Sequence, residues 1–223
     1  MTIHEVCRGI LLTLIPRVAN WKRILEILNQ NSFYMNHIDF WGHSDPDMLE
    51  VGNGDLTAEE NRSHFALWAA MKSPLLIGTD LTRISSDNVA ILKNQYLLAF
   101  NQDNQYGAPA APYKWGANPD WTFNASYPAQ YWSGRFRQGT LVLILNLDNS
   151  TTQMTADWSE VPGLTAGAAY QVIEAWSGTA LGCLTGGLHV QIPAHDTAVL
   201  VVGDSCSSTR KRGQDVITLP LKV

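Results

Sequence analysis

No apolar run in this sequence approaches the ~20 residues that a membrane-spanning helix needs. The N-terminal stretch "GILLTLI" at 9–15 is short, follows a weakly charged region and lacks a small-residue cleavage site, so it does not read as a signal peptide. Positive charge is scarce: 15 Lys and Arg against 20 Asp and Glu give a net charge of −5. That balance argues against a nucleic-acid binder, which needs a basic face. The one basic cluster, "RKRG" at 210–213, lies in a polar C-terminal stretch and reads as solvated. Cysteine is sparse too. Cys7, Cys183 and Cys206 show no C-x-x-C spacing, which removes the zinc-ribbon and redox-motif classes. There is no internal repeat.

What is present is a globular composition. With 223 residues, 45% of them hydrophobic and 16% charged, the chain can bury one large core or two modest ones. Eight tryptophans and seven tyrosines are many for this length. Core packing is their default role, although aromatic rings also stack on the apolar faces of sugars. Cys183 and Cys206 flank the last expected strands and can pair in an oxidising compartment. Three N-x-S/T sequons, at Asn61, Asn124 and Asn149, are candidate glycosylation sites. Asn61 falls inside an expected helix, whereas Asn124 and Asn149 fall in loop-like stretches.

Two textures divide the chain. From 20 to 100, helices alternate with short apolar strands, which is an α/β pattern. "NWKRILEIL" puts Trp21, Ile24, Leu25 and Leu28 on one helical face. Thr57 and Glu60 form a capping box for a helix carrying Phe65, Trp68 and Ala69. Pro74 ends that helix, "LLIG" at 75–78 is expected as a short buried strand, and "SSDNVAILKN" caps and forms another helix. From 101 to 206 the texture is all-β. Strands are expected at 130–136, 140–147, 169–176, 188–192 and 197–202, separated by turn residues, which predicts an antiparallel sandwich. The Asn/Gly/Pro-rich segment 101–120 carries the boundary. Residues 1–19 show no clean period, and 207–223 are expected to be an unpacked tail.

The stretch "HSDPDMLEVG" at 43–52 holds the main chemical question, because Asp45 and Asp47 stand two apart around a proline. With His37, Asp39 and His43 they resemble a ligand set, since alternate side chains of an extended chain face one way. Gly42 and Pro46 interrupt such a strand, however, and no metal-ligand spacing such as H-E-x-x-H occurs. As an acid/base pair they would be close enough but on the same side, unable to flank a glycosidic bond. A turn whose carboxylates cap backbone N–H groups is the plain alternative.

The run "SDPDMLEVGNGDLTAEENRSHFALWAAMKSPLLIGTDL" (44–81), the later "AFNQD" (99–103) and the sandwich after it resemble glycoside hydrolase family 27, the α-galactosidases. The likeness extends from about Asn20 to Cys206 and corresponds to the C-terminal half of a usual member. It implies the end of a (β/α)8 barrel followed by an antiparallel β-sandwich, with Asp47 and Met48 at the carboxyl end of the seventh barrel strand. In the family the matching Asp and Met line the galactose subsite. Asp accepts hydrogen bonds from sugar hydroxyls and Met supplies an apolar wall. Asp45 is then a supporting carboxylate, and Arg8 echoes a family arginine at longer spacing. The resemblance further implies secretion, a carbohydrate partner, no cofactor and no metal.

Family chemistry is a double displacement by two carboxylates, one a nucleophile and one an acid/base. The nucleophile belongs upstream of this chain's matching region. The acid/base should precede Trp21, yet no Asp or Glu occurs between Glu5 and Glu26. The chain is therefore expected to be truncated and inactive alone, with 1–19 and 207–223 arising from a shifted frame or misplaced splice site. The rival reading is a non-catalytic sugar-binding or structural sandwich over 113–206, for which Trp115, Trp121 and Trp132 are the candidate aromatics.

Overall fold

The structure, a computed structural model, describes residues 19–207 and the backbone of 216–218. Cys7, Arg8 and the rest of 1–18 lie outside the described residues. Helix α1 (Trp21–Ser32) starts on Asn20, whose Oδ1 accepts from the Arg23 amide, and buries Ile24, Leu25, Ile27 and Leu28. A 3-10 turn (Met35–His37) follows. Helix α2 (Ala58–Ala70) opens on the expected capping box, in which Thr57 and Glu60 exchange hydrogen bonds. Helices α3 (Ser86–Leu92) and α4 (Gln95–Asn101) are capped by Ser85 and Asn94.

Among the described residues nine strands follow: β1 (Ala111–Lys114), β2 (Tyr131–Phe136), β3 (Gly139–Leu145), β4 (Thr152–Asp157), β5 (Ala169–Glu174), β6 (Thr179–Thr185), β7 (Gly187–Ile192), β8 (Thr197–Ser205) and β9 (Val216–Thr218). They form a six-stranded sheet in the order β1-β2-β3-β8-β5-β6 and a three-stranded sheet in the order β4-β7-β9. Every pairing is antiparallel except β7 with β9. The tail expected to be unpacked thus supplies a strand at 216–218, lying parallel to His189–Gln191. A disulfide joins Cys183 on β6 to Cys206 just past β8.

Both faces of the larger sheet are buried, which explains the unbroken apolar run of β3. Val142 and Ile144 pack with Trp158, Leu188, Val190 and Ile192 between the sheets. Leu141, Leu143 and Leu145 pack on the other side with Trp68, Phe100 and Trp132, in the core shared with the helices. A strand covered on both faces has no solvent side to mark with polar residues. Gly134 on β2 is required by this arrangement: a Cβ there would stand 2.7 Å from the Phe100 ring and 2.8 Å from the Ala110 Cα.

A second expectation fails. Residues 75–78 do not form a buried strand. They make a single parallel bridge, Leu49 with Ile77, and Leu76 and Ile77 are 55% and 43% exposed. A parallel barrel strand is buried by neighbours on both edges and by helices outside. Among the described residues the stretch 75–78 has one neighbouring segment, at Leu49.

The two parts are joined by buried polar contacts as well as by core. Arg62 of α2 makes a bidentate ion pair with Asp196, at 3.0 and 2.7 Å. Ser63 Oγ donates to the His195 carbonyl at 2.6 Å and lies 2.7 Å from Thr197 Oγ1. Burial pushes the Asp196 carboxyl above its ordinary range even with Arg62 against it. Removing one member of such a pair strands the other charge away from water. Arg62→Met should therefore cost about 3–5 kcal/mol in denaturant unfolding, and the double change Arg62→Met with Asp196→Leu should recover most of it. A loss below ~1 kcal/mol for the single change would show that the pair does not hold the junction.

Candidate functional site

Helix α2 is buried along its whole length from Glu60 to Ala70. A helix buried all round must satisfy its polar side chains internally. Three side chains spaced i, i+3 and i+7 along one face do so on the backbone of the acidic loop. Asn61 Oδ1 accepts from the Gly52 amide at 2.9 Å. His64 Nε2 accepts from the Glu50 amide at 3.0 Å. Trp68 Nε1 donates to the Asp47 carbonyl at 2.9 Å. The helix thus holds residues 47–52 at three points.

Beyond that ladder, Leu49 is paired on its other side: its amide donates to Leu76 O at 2.7 Å and its carbonyl accepts from Gly78 at 2.8 Å. Asp47 and Met48 stand immediately ahead of this bridge. Asp47 has φ 77°, a left-handed conformation uncommon outside glycine but better tolerated by Asp. The turn is held by carboxylates. Asp45 Oδ1 accepts from the Asp47 amide at 3.0 Å, and Asp47 Oδ1 from the Met48 amide at 2.8 Å. Asp45 and Asp47 therefore belong to one turn and share its backbone, an arrangement suited to contacting a ligand from one side. Met48 is 42% exposed and offers an apolar surface beside them.

The other members of the histidine–aspartate stretch point elsewhere. Asp39 Oδ1 accepts from the amides of Trp41 and Gly42, at 2.7 and 2.8 Å. His43 Nδ1 lies 2.8 Å from the Lys72 carbonyl. Among the described residues no three His, Cys, Asp or Glu side chains come together to hold a metal ion. Lys72 itself is buried, with Nζ donating to the carbonyls of Phe100 and Asp103 at 2.5 and 2.8 Å. Its ammonium is pulled down to about 8 by burial. It ties the end of α2 to the end of α4, and its carbonyl steadies the loop through His43.

The sequons separate clearly. Asn61 is 3% exposed, and its carboxamide is engaged with Gly52 and, through Nδ2, with Leu56 O at 3.3 Å. In the folded chain the Asn61 side chain is enclosed and its carboxamide is occupied. Asn124 is half-buried and Asn149 is exposed. Of the candidate aromatics, Trp115 and Trp132 are core residues, while Trp121 is 55% exposed. Sequence reasoning did not single out Asn61 or His64 as positioning residues. The signal was available in the spacing of Asn61, His64 and Trp68 on one helical face.

The His64 ring is fully buried and edge-on to Trp68 at 4.3 Å. Burial drops it from 6.5 to about 3, so the fold holds it neutral with Nε2 accepting. Between those values the unfolded chain binds a proton that the folded chain does not. Its contribution is complete above pH 6.5 and is lost as pH falls toward 3. Stability should drop by on the order of 4 kcal/mol between pH 7 and pH 3.5 through this group. His64→Gln, which keeps an acceptor, should flatten that part of the profile. Unchanged slopes in the two proteins would contradict this placement of the ring.

Comparison with known proteins agrees with this architecture. A family model described as "Alpha galactosidase A" matches residues 16–103, and one described as "Alpha galactosidase C-terminal beta sandwich domain" matches 126–202. Proteins named "Probable alpha-galactosidase B" from Penicillium simplicissimum and Talaromyces emersonii are 60% and 57% identical over 190 and 196 residues. Each alignment covers 84% of this chain but only 44% and 43% of the relative. The chain thus spans less than half the length of these curated relatives. Among solved structures, α-galactosidase I from Mortierella vinacea superposes with a TM-score of 0.69 at 30% identity, over 82% of this chain and 45% of that one. An α-galactosidase from Saccharomyces cerevisiae, solved with raffinose, superposes at 0.67 and 22% identity, over 81% and 51%. The chain belongs to glycoside hydrolase family 27, as the C-terminal portion of its barrel followed by its β-sandwich domain.

Proposed function

We propose that this chain is the C-terminal, sugar-contacting part of a secreted α-galactosidase that removes terminal α-linked galactose from oligosaccharides and polysaccharides. The observation that carries the reading is the match of both barrel segment and sandwich, with 60% identity over 190 residues to a protein named "Probable alpha-galactosidase B". The role of Asp47 is to accept hydrogen bonds from galactose hydroxyls, and that of Met48 is to wall the sugar on its apolar face. The Cys183–Cys206 disulfide supports the extracellular setting, because such bonds persist in oxidising compartments.

The chemistry itself needs two carboxyls flanking the anomeric carbon: one attacks, and the other protonates the leaving oxygen and then activates water. Asp45 and Asp47, sharing one turn, cannot take opposite sides of that bond. The chain by itself should leave an aryl α-galactoside uncleaved. Joined to the upstream barrel strands of a close relative it should gain turnover, and Asp47→Ala should then lower kcat/KM by about 100-fold. Turnover by the chain alone, or indifference to Asp47→Ala in the joined protein, would overturn the reading.

One observation favours a second reading, that of a binding module. Trp121, Phe123 and Tyr127 are 55%, 57% and 45% exposed within one short segment. A galactose titration that shifts tryptophan fluorescence and is abolished by Trp121→Ala would support this module. A flat titration would remove it.

A further inference from the structure

Strand β7 is the centre of the smaller sheet, with β4 on one edge and β9 on the other. Its alternate positions differ in character. Leu188, Val190 and Ile192 are buried between the sheets with Met154, Ala156 and Trp158. His189 and Gln191 are half-buried and meet polar groups of β4: Thr155 Oγ1 lies 2.8 Å from His189 Nδ1, and Gln191 Nε2 donates to Gln153 Oε1 at 3.1 Å. The edge of β7 turned away from β4 carries N–H and C=O groups that only a further strand can pair, and such an edge is a template for strand addition. Residues 216–218 occupy it, with Val216 opposite His189, Ile217 opposite Val190 and Thr218 opposite Gln191.

Two properties set this occupant apart. It runs parallel to β7, where the other strand pairings of the two sheets are antiparallel, and it is three residues long, where β4 has six. Parallel pairing is slightly weaker per residue, and a short peripheral strand opens locally at little cost. Charge is the second property. Residues 207–223 carry Arg210, Lys211, Arg212 and Lys222 against a single acid, Asp215, in a chain whose net charge is −5. The segment is cationic and the rest of the chain is strongly anionic, so the two attract over a Debye length of about 8–10 Å. That attraction is the same whether the body belongs to one copy of the chain or to another.

We propose that the outer edge of β7 is a strand-acceptor site whose partner is the 216–218 segment of a second copy of this chain, docked in the same parallel register as its own. The backbone bonds and the charge attraction are identical in the two cases. What separates them is concentration. The chain's own segment acts as a tethered strand, at an effective concentration of about millimolar, and the segment of a second copy competes as protein concentration approaches that range. Exchange in both directions closes a two-fold dimer. The edge selects an apolar residue opposite Val190 and accepts polar ones opposite His189 and Gln191, because the β7 positions alternate in that way. This inference does not rest on the galactoside reading.

The test uses the full chain carrying both Ile217→Pro and Thr218→Pro. Successive N–H groups of a strand point to opposite edges, so one of the two prolines removes a donor to β7. In hydrogen exchange, the outward-facing amides among His189, Val190 and Gln191 should exchange at least ~10-fold faster in this variant than in the unchanged chain, while Leu143 on β3 stays protected in both. A synthetic peptide of residues 214–223, added to the variant, should restore that protection saturably, and added salt should weaken the peptide's hold. In sedimentation, the unchanged chain should form a dimer with rising concentration, and the variant should remain a monomer. Equal exchange at the three β7 positions in the two proteins, no effect of the peptide, or equal rescue by a peptide carrying both prolines would overturn the proposal. So would an unchanged chain that stays monomeric at the concentration where the peptide half-saturates the variant. No glycosidase assay enters, so this failure is distinguishable from failure of the α-galactosidase reading.

Discussion

Three hydrogen bonds from one face of α2 to the backbone of residues 47–52 set the geometry on which the candidate site depends. Asn61, His64 and Trp68 reach Gly52, Glu50 and Asp47 in turn. The opposite demand, burial on the sandwich side, is met by Arg62 with Asp196 and by Ser63 with His195 and Thr197. One helix therefore connects loop and sandwich, and its polar residues are costly to leave unpaired because water cannot reach them. This explains why a helix so rich in polar residues at its start, "AEENRSH", is nonetheless interior.

Much of this was legible in the sequence where local chemistry is decisive. The Thr57–Glu60 capping box, the apolar face of α1 and the run of β3 each carry a signal that neighbours reinforce. What failed is what depends on distant partners. Residues 75–78 read as a buried strand because they are apolar, yet burial of a parallel strand requires strands on both edges. Strand β4, "TQMTAD", and strand β6, "TALGCLT", escaped because a sheet-edge position allows small and polar residues and blurs the apolar pattern. Helix α4 was hidden by following α3 closely, with only Lys93 and Asn94 between them and Asn94 as its cap.

The acidic loop shows the same division. That the two carboxylates cap backbone N–H groups of a turn was readable as the plain alternative, and the bonds from the Asp47 amide to Asp45 and from the Met48 amide to Asp47 make that turn. The left-handed φ of Asp47 was not readable, because Asp is not obliged to adopt it. Nor was the burial of Asn61: a sequon records a local pattern, while burial is settled by what packs on the helix. Family membership adds what geometry cannot, since it places the loop within the C-terminal portion of a barrel, a fold whose sites draw groups from several strands.

Native-state hydrogen exchange at the amides of Glu50 and Gly52 tests the central claim most directly. Both amides donate to side chains of α2, so they should exchange only when that helix opens, with protection matching that of Leu67 within the helix. Rapid exchange at Glu50 and Gly52 while Leu67 remains protected would show that the loop moves independently, and that α2 does not position it.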